Sequence, residues 1–131
     1  MRLVIDASVA VEYLLRTALG RRVAPRVEES ELLAPELLDV EVLAVLRRTE
    51  LAGRLSDARA REAVADLCEW PLRRLSHGPL LPLAWSYRKN LSAYDALYVA
   101  AARLHDAHLL TADGPLSRAP GVGVVVENVR A

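Results

Sequence analysis

The spacing of hydrophobic positions switches repeatedly along this chain, from short unbroken apolar runs to a period near four residues and back. Leu3-Val4-Ile5 is apolar on both faces, which predicts an interior strand of a covered parallel sheet rather than a half-exposed one. Val9, Tyr13 and Leu14 follow at helical spacing, and Leu19, Val23 and Val27 extend a second helical face from Arg16 to Ser30 despite Gly20 and Pro25. Leu32-Leu33-Ala34, closed by Pro35, predicts a second buried strand. A long helix is expected from Leu37 to Ala52, with Asp39 as its cap and Gly53 as its terminator. Ser56-Asp57 opens another, Ala58 to Glu69, with Ala60, Val64 and Leu67 inward and Trp70-Pro71 at its end. Leu72 to Ser76 reads as an edge strand marked by Arg73-Arg74, followed by a His77-Gly78-Pro79 loop. Leu80 to Lys89 is weakly helical. Ser92 to Asp106 is strongly so, with Tyr94, Leu97, Tyr98, Ala101 and Leu104 on one side. Leu109-Leu110-Thr111 is a strand, Ala112 to Pro115 a turn, and Val122 to Glu127 a last strand. This βα alternation predicts an α/β fold, a parallel sheet covered by helices, in a single domain over residues 1–131.

Composition narrows the picture. The chain is 53% hydrophobic but has no Phe, so Leu, Val and Ala must fill the core. Seventeen basic residues balance seventeen acidic ones, so any nucleic-acid partner must be met by a local patch. Every basic residue except Lys89 is Arg, which suits bidentate contacts to phosphate or carboxylate. Cys68 stands alone, which makes a reducing compartment the default. No signal-peptide pattern and no membrane-length apolar run is visible, and the expectation is a cytoplasmic protein.

Four acids then stand out, each with an ordinary structural explanation beside the chemical one. Asp6 sits where the first strand meets a helix; ligands of open α/β sheets bind at such junctions, yet Asp and Ser8 are also good helix caps. Glu41 shares a helix face with Leu38 and Val45, so it is either paired with an Arg or a helix N-terminus, or liganded. Asp95 lies three residues after Ser92 in a capping-box arrangement, and Asp113 precedes Gly114-Pro115 as a turn-forming Asp would. Jointly, Asp6 and Asp113 end two expected strands and Asp95 opens a helix, so the set stands to converge on the carboxyl edge of one sheet. Converging carboxylates repel one another, and a divalent cation relieves that conflict. Ligation by oxygen alone, with no His or Cys cluster, selects Mg²⁺ or Mn²⁺ over Zn²⁺.

Val4-Ile5-Asp6-Ala7-Ser8, Glu41 within Leu38 to Leu43, Tyr94-Asp95-Ala96-Leu97-Tyr98 and Leu110-Thr111-Ala112-Asp113 together resemble the PIN domain, specifically the VapC-like toxin ribonucleases of bacterial toxin–antitoxin pairs. Each motif alone is weak, and four in order along the whole chain are specific. The resemblance implies a three-layer α/β/α sandwich over a parallel sheet of order 3-2-1-4-5. It implies a Mg²⁺- or Mn²⁺-dependent endoribonuclease with Asp6, Glu41, Asp95 and Asp113 as its acids, leaving a 5′-phosphate and a 3′-hydroxyl. Asp6 and Asp95 are the first choice as direct ligands, Glu41 ligates or orients a water, and Asp113 acts from behind them or holds a second ion. Ser8 and Thr111 match positions that support those acids. A further acid found beyond Asp113 in some members is replaced here by Ser117 and Arg118.

A homodimer and a VapB-like antitoxin follow from the same resemblance, with Val11, Leu14, Leu15 and the helices from Leu37 to Glu69 offering spare apolar surface. An RNA substrate needs a basic rim, for which Arg16, Arg47, Arg48, Arg88, Lys89 and Arg118 are candidates. Tyr94 and Tyr98 suit base stacking but fit the core better at this spacing, and His77, His105 and His108 show no ligand spacing. A haloacid-dehalogenase phosphatase needs an Asp where Ser8 stands, and no glycine-rich turn supports a nucleotide fold. Two alternatives stay open: a PIN-like interaction module without catalysis, and a PIN nuclease of RNA processing that is no toxin.

Overall fold

The computed structural model describes residues 1–119 and 121–130. The chain runs β1 (Arg2–Ile5), α1 (Ala7–Leu14), α2 (Ala18–Glu29), β2 (Glu31–Pro35), α3 (Leu37–Leu51), α4 (Asp57–Glu69) and β3 (Arg73–Leu75). After a 3-10 turn at Gly78–Leu80 come α5 (Leu81–Ser86), α6 (Ala93–Leu104), β4 (His108–Thr111), α7 (Gly114–Ser117) and β5 (Val126–Asn128). All strand pairs are parallel, in the order β3-β2-β1-β4-β5. The direction of travel across the sheet reverses once, from leftward (β1 to β3) to rightward (β3 to β5). Right-handed crossovers therefore set α1 to α4 on one face and α5 and α6 on the other. Packing agrees: α1 lies on α2 and α3, α3 on α4, while α5 packs with α6, which lies over β2, β1 and β4. This is the expected three-layer α/β/α sandwich.

The core is aliphatic, as the lack of Phe requires. Leu3, Val4, Ile5, Leu33, Leu109 and Leu110 are wholly buried in the three central strands, and a continuous small-residue stretch, Val99 to Ala102, lets α6 sit close on the sheet. Each buried Leu, Ile or Val contributes roughly 1.5–3 kcal/mol over its exposed state.

Several local expectations are corrected. Asp39 does not cap α3: the helix begins earlier, the His77 Nε2 accepts the Leu37 N–H at 2.9 Å, and Asp39 instead pairs with Arg74 at 3.2 Å. His77, without ligand spacing in sequence, thus has a structural task. The expected turn at 112–115 is in part a helix, because Pro115 sits in the first turn of α7, where its missing N–H costs nothing. The last strand starts later than Val122, since Gly121 and Gly123 take positive φ angles (66° and 75°) that interrupt extended backbone. Val11 and Leu14 are buried and Leu15 half-buried, so they offer no spare surface; the helices from Leu37 to Glu69 do, at Val40, Leu43 and Leu51, and further exposed apolar side chains lie at Leu81 and Trp85. Tyr98 is in the core as expected, but Tyr94 is 59% exposed.

Candidate functional site

Parallel strands deliver their carboxyl ends to one edge, and the sheet's reversal of direction falls between β1 and β4, the place where open α/β sheets bind their ligands. Asp6 follows β1 directly and continues its pairing, its N–H donating to the Leu110 carbonyl at 3.2 Å. The capping and chemical explanations for Asp6 are both realised in one side chain. Its Oδ1 accepts the Val9 N–H at 3.2 Å as the cap of α1, and also the Ser8 hydroxyl at 2.5 Å. Its Oδ2 accepts the Thr111 hydroxyl, at the end of β4, at 2.5 Å. Ser8 and Thr111 are themselves fixed, accepting the Ala112 and Asp113 N–H groups at 2.8 and 2.9 Å. Two neighbouring strand ends are thereby stitched around one carboxylate that is only 6% exposed.

Burial raises the Asp6 pKa above the ordinary carboxylate value; the bonds from Ser8, Thr111 and Val9 oppose the shift, and the charge of Asp113 adds to it. Asp95 shows the same direction. Burial is again the largest cause, followed by the charges of Asp113, Asp6 and Glu41, so Asp95 lies within electrostatic reach of the other three acids. The Ser92 hydroxyl caps α6 by accepting the Asp95 N–H at 3.1 Å. The capping box is one-sided, however, and among the described residues no donor occupies the Asp95 carboxylate. The Asp113 carboxylate is likewise free, although Asp113 is the cap residue of α7.

Glu41, in the second turn of α3, is half-buried, and its partner is neither an Arg nor a helix end. Tyr98 of α6 donates its hydroxyl to Glu41 Oε1 at 2.6 Å. Burial first, then the bond and charge of Glu41, push the Tyr98 phenol well above its usual pKa, so it remains a donor. For Tyr98, sequence spacing weighs the core against base stacking and favours the core; its bond to Glu41 is not anticipated. Its position three after Asp95, on the same helix face, is the signal that would have placed it at the cleft.

The donor set suits a hard divalent ion. It is all oxygen, and among the described residues no Lys, Arg or His pairs with any of these four acids, every ion pair lying elsewhere. As the side chains stand, no three acids, His or Cys among the described residues are gathered closely enough to hold an ion. Asp95 and Asp113 are the two whose carboxylates accept no hydrogen bond among the described residues.

The basic candidates are dispersed. Arg118 folds back over the start of α7, where a β-carbon at Gly114 would come within 2.7 Å of its Nη1, directly beside Asp113 in the chain. Arg88 and Lys89 are exposed in the α5–α6 connection, Arg88 stacking over Trp85 at 4.9 Å. Arg16 lies beyond the far end of α1 and has a positive φ of 55°. Arg47 and Arg48 are exposed, with Arg47 about 9 Å along α3 from Glu41 at the rise of a helix. Among the described residues no helix is long and apolar enough to cross a membrane.

Comparison with known proteins agrees with this geometry. The PIN domain family profile matches residues 3–122. The chain is 39% identical to Ribonuclease VapC1 of Mycobacterium tuberculosis over 129 residues, 97% of each chain. Among solved structures, PAE2754 from Pyrobaculum aerophilum superposes with a TM-score of 0.71 at 20% identity, covering 96% of this chain and 83% of that one. Mycobacterium tuberculosis VapC20, described as a sarcin-ricin loop cleaving toxin, does so with a TM-score of 0.65 at 19% identity, covering 93% and 98%.

Proposed function

This chain belongs to the PIN domain family, and from that premise we propose that it is a Mg²⁺- or Mn²⁺-dependent endoribonuclease acting as the toxin of a VapBC-type toxin–antitoxin pair. The observation that carries the reading is the absence, among the described residues, of any cationic partner for the four carboxylates, three of which act together on Asp95. When bound, the ion supplies a water of lowered pKa and stabilises charge on the phosphodiester and its leaving oxygen. Asp6 and Asp95 would hold it directly. Ser8, Thr111 and the Val9 amide keep Asp6 ionised and aimed, since each donates to the charged form. Glu41 would ligate directly or orient a ligated water, and Asp113 would act from behind these ligands or hold a second ion. The products carry a 5′-phosphate and a 3′-hydroxyl.

RNA approaches along Arg118, Arg88 and Lys89, with Arg16, Arg47 and Arg48 as outer contacts to the backbone. The toxin acts in the cytoplasm as a homodimer, and a VapB-like antitoxin silences it. Exposed Trp85 (68%) and Leu81 (54%) on α5 support a surface for the second copy.

Incubating the purified protein with RNA and Mn²⁺ or Mg²⁺ tests the reading. Cleavage is expected, and its loss in excess chelator and in Asp6→Asn. Full cleavage in chelator contradicts the mechanism; no cleavage under any condition leaves the chain an interaction module.

A further inference from the structure

Tyr98 reaches from the layer of α6 across the carboxyl edge of the sheet to α3 in the opposite layer, and meets Glu41 there. Its ring is packed in the core and 2% exposed, so the hydroxyl has little freedom to follow if Glu41 moves. A carboxylate has two oxygens, and this bond engages one of them at 2.6 Å. We propose that Tyr98 is a positioning residue that holds the Glu41 carboxylate in one orientation, with Oε2 foremost, and that it thereby makes the cleft prefer Mg²⁺ and Mn²⁺ over Ca²⁺. The proposal rests on the cation reading of the four acids.

The selectivity follows from ligand chemistry. Mg²⁺ is small and near-octahedral and takes carboxylates through one oxygen, whereas Ca²⁺ accepts more ligands at longer range and readily takes both oxygens of one carboxylate. A Glu41 oriented by a fixed phenol at Oε1 presents Oε2 foremost and serves the first geometry; turning both oxygens onto one ion, as the second requires, would bend or break that bond. A purely structural tie between α6 and α3 behaves differently. Losing it lowers the melting temperature and weakens every ion alike, leaving the ratio of affinities unchanged.

Calorimetric titration of wild type and Tyr98→Phe with Mn²⁺ and with Ca²⁺ separates the two roles. The Phe variant keeps the ring and lacks only the donor. The expected result is a fall of about tenfold in the preference for Mn²⁺ over Ca²⁺, the size typical of losing a group that orients a ligand. Tyr98→Met, which fills the same space flexibly without a hydroxyl, is expected to lose the preference likewise. Selective wild-type binding with the ratio unchanged in both variants overturns this proposal alone. A wild-type protein that takes up neither ion overturns the cation reading and this proposal with it.

Discussion

Asp6 shows how one residue serves two masters. Its oxygens cap α1 and accept two hydroxyls, and hydroxyls can both donate and accept, so Asn fits the same pocket by turning Ser8 or Thr111 round. Asp6→Asn is therefore expected to retain the fold while cleavage falls by more than about 10²-fold, beyond what an orienting neighbour is worth. An unfolded variant would mean that capping is its whole role. Asp95 gives a test by pH. Its folded pKa is raised, so it favours the folded state fully below its unfolded value of about 3.9, and that contribution is lost as pH rises through the folded value. In metal-free protein Asp95→Asn is expected to match wild type near pH 4 and to melt higher at pH 7, as read by thermal melts across that range. Glu41→Gln keeps an oxygen for Tyr98 and strands no Arg, so its melting temperature should barely move while its stabilisation by Mn²⁺ disappears. A variant that gains as much from Mn²⁺ as wild type contradicts the assignment of Glu41. The four acids were legible in sequence from where they interrupt apolar patterns. Tyr98 was not, because an aromatic at helical spacing has the same pattern whether its tip ends in hydrocarbon or at a carboxylate.

Elements set the site by their ends, and close packing between them keeps those ends in place. Thr17 caps α2 by accepting the Gly20 N–H at 3.0 Å, and Gly20 lets α2 touch α1 so closely that a β-carbon would stand 1.9 Å from the Glu12 carbonyl oxygen. Gly20→Ala must push α2 off α1 and is expected to cost at least about 1–3 kcal/mol in chemical denaturation. A neutral result would show that α1 is not held from behind. Buried strands and the long amphipathic helices were legible because their periodicity reflects the core they face. The end of the chain was less so: β5 starts after two glycines of positive φ, and α7 is too short to show a period. The start of α3 at Leu37 was legible, but its capping partner was not: His77 is distant in sequence, and no local pattern reports such a partner.

At the scale of the molecule, a chain with balanced charge gathers its uncompensated acids at one edge and leaves apolar side chains uncovered on α5. If that surface joins two copies, Trp85→Ser should sediment as a monomer where wild type sediments at twice the mass, with melting temperature nearly unchanged because Trp85 lies outside the core. A monomeric wild type contradicts the homodimer. The central claim is that acids from four separate stretches of sequence build one cation site. Calorimetric titration of Mn²⁺ into wild type and Asp95→Asn at pH 7 tests it most directly. The account predicts saturable binding by wild type and affinity weakened at least about tenfold in the variant; equal heats and equal affinity in the two proteins would contradict it.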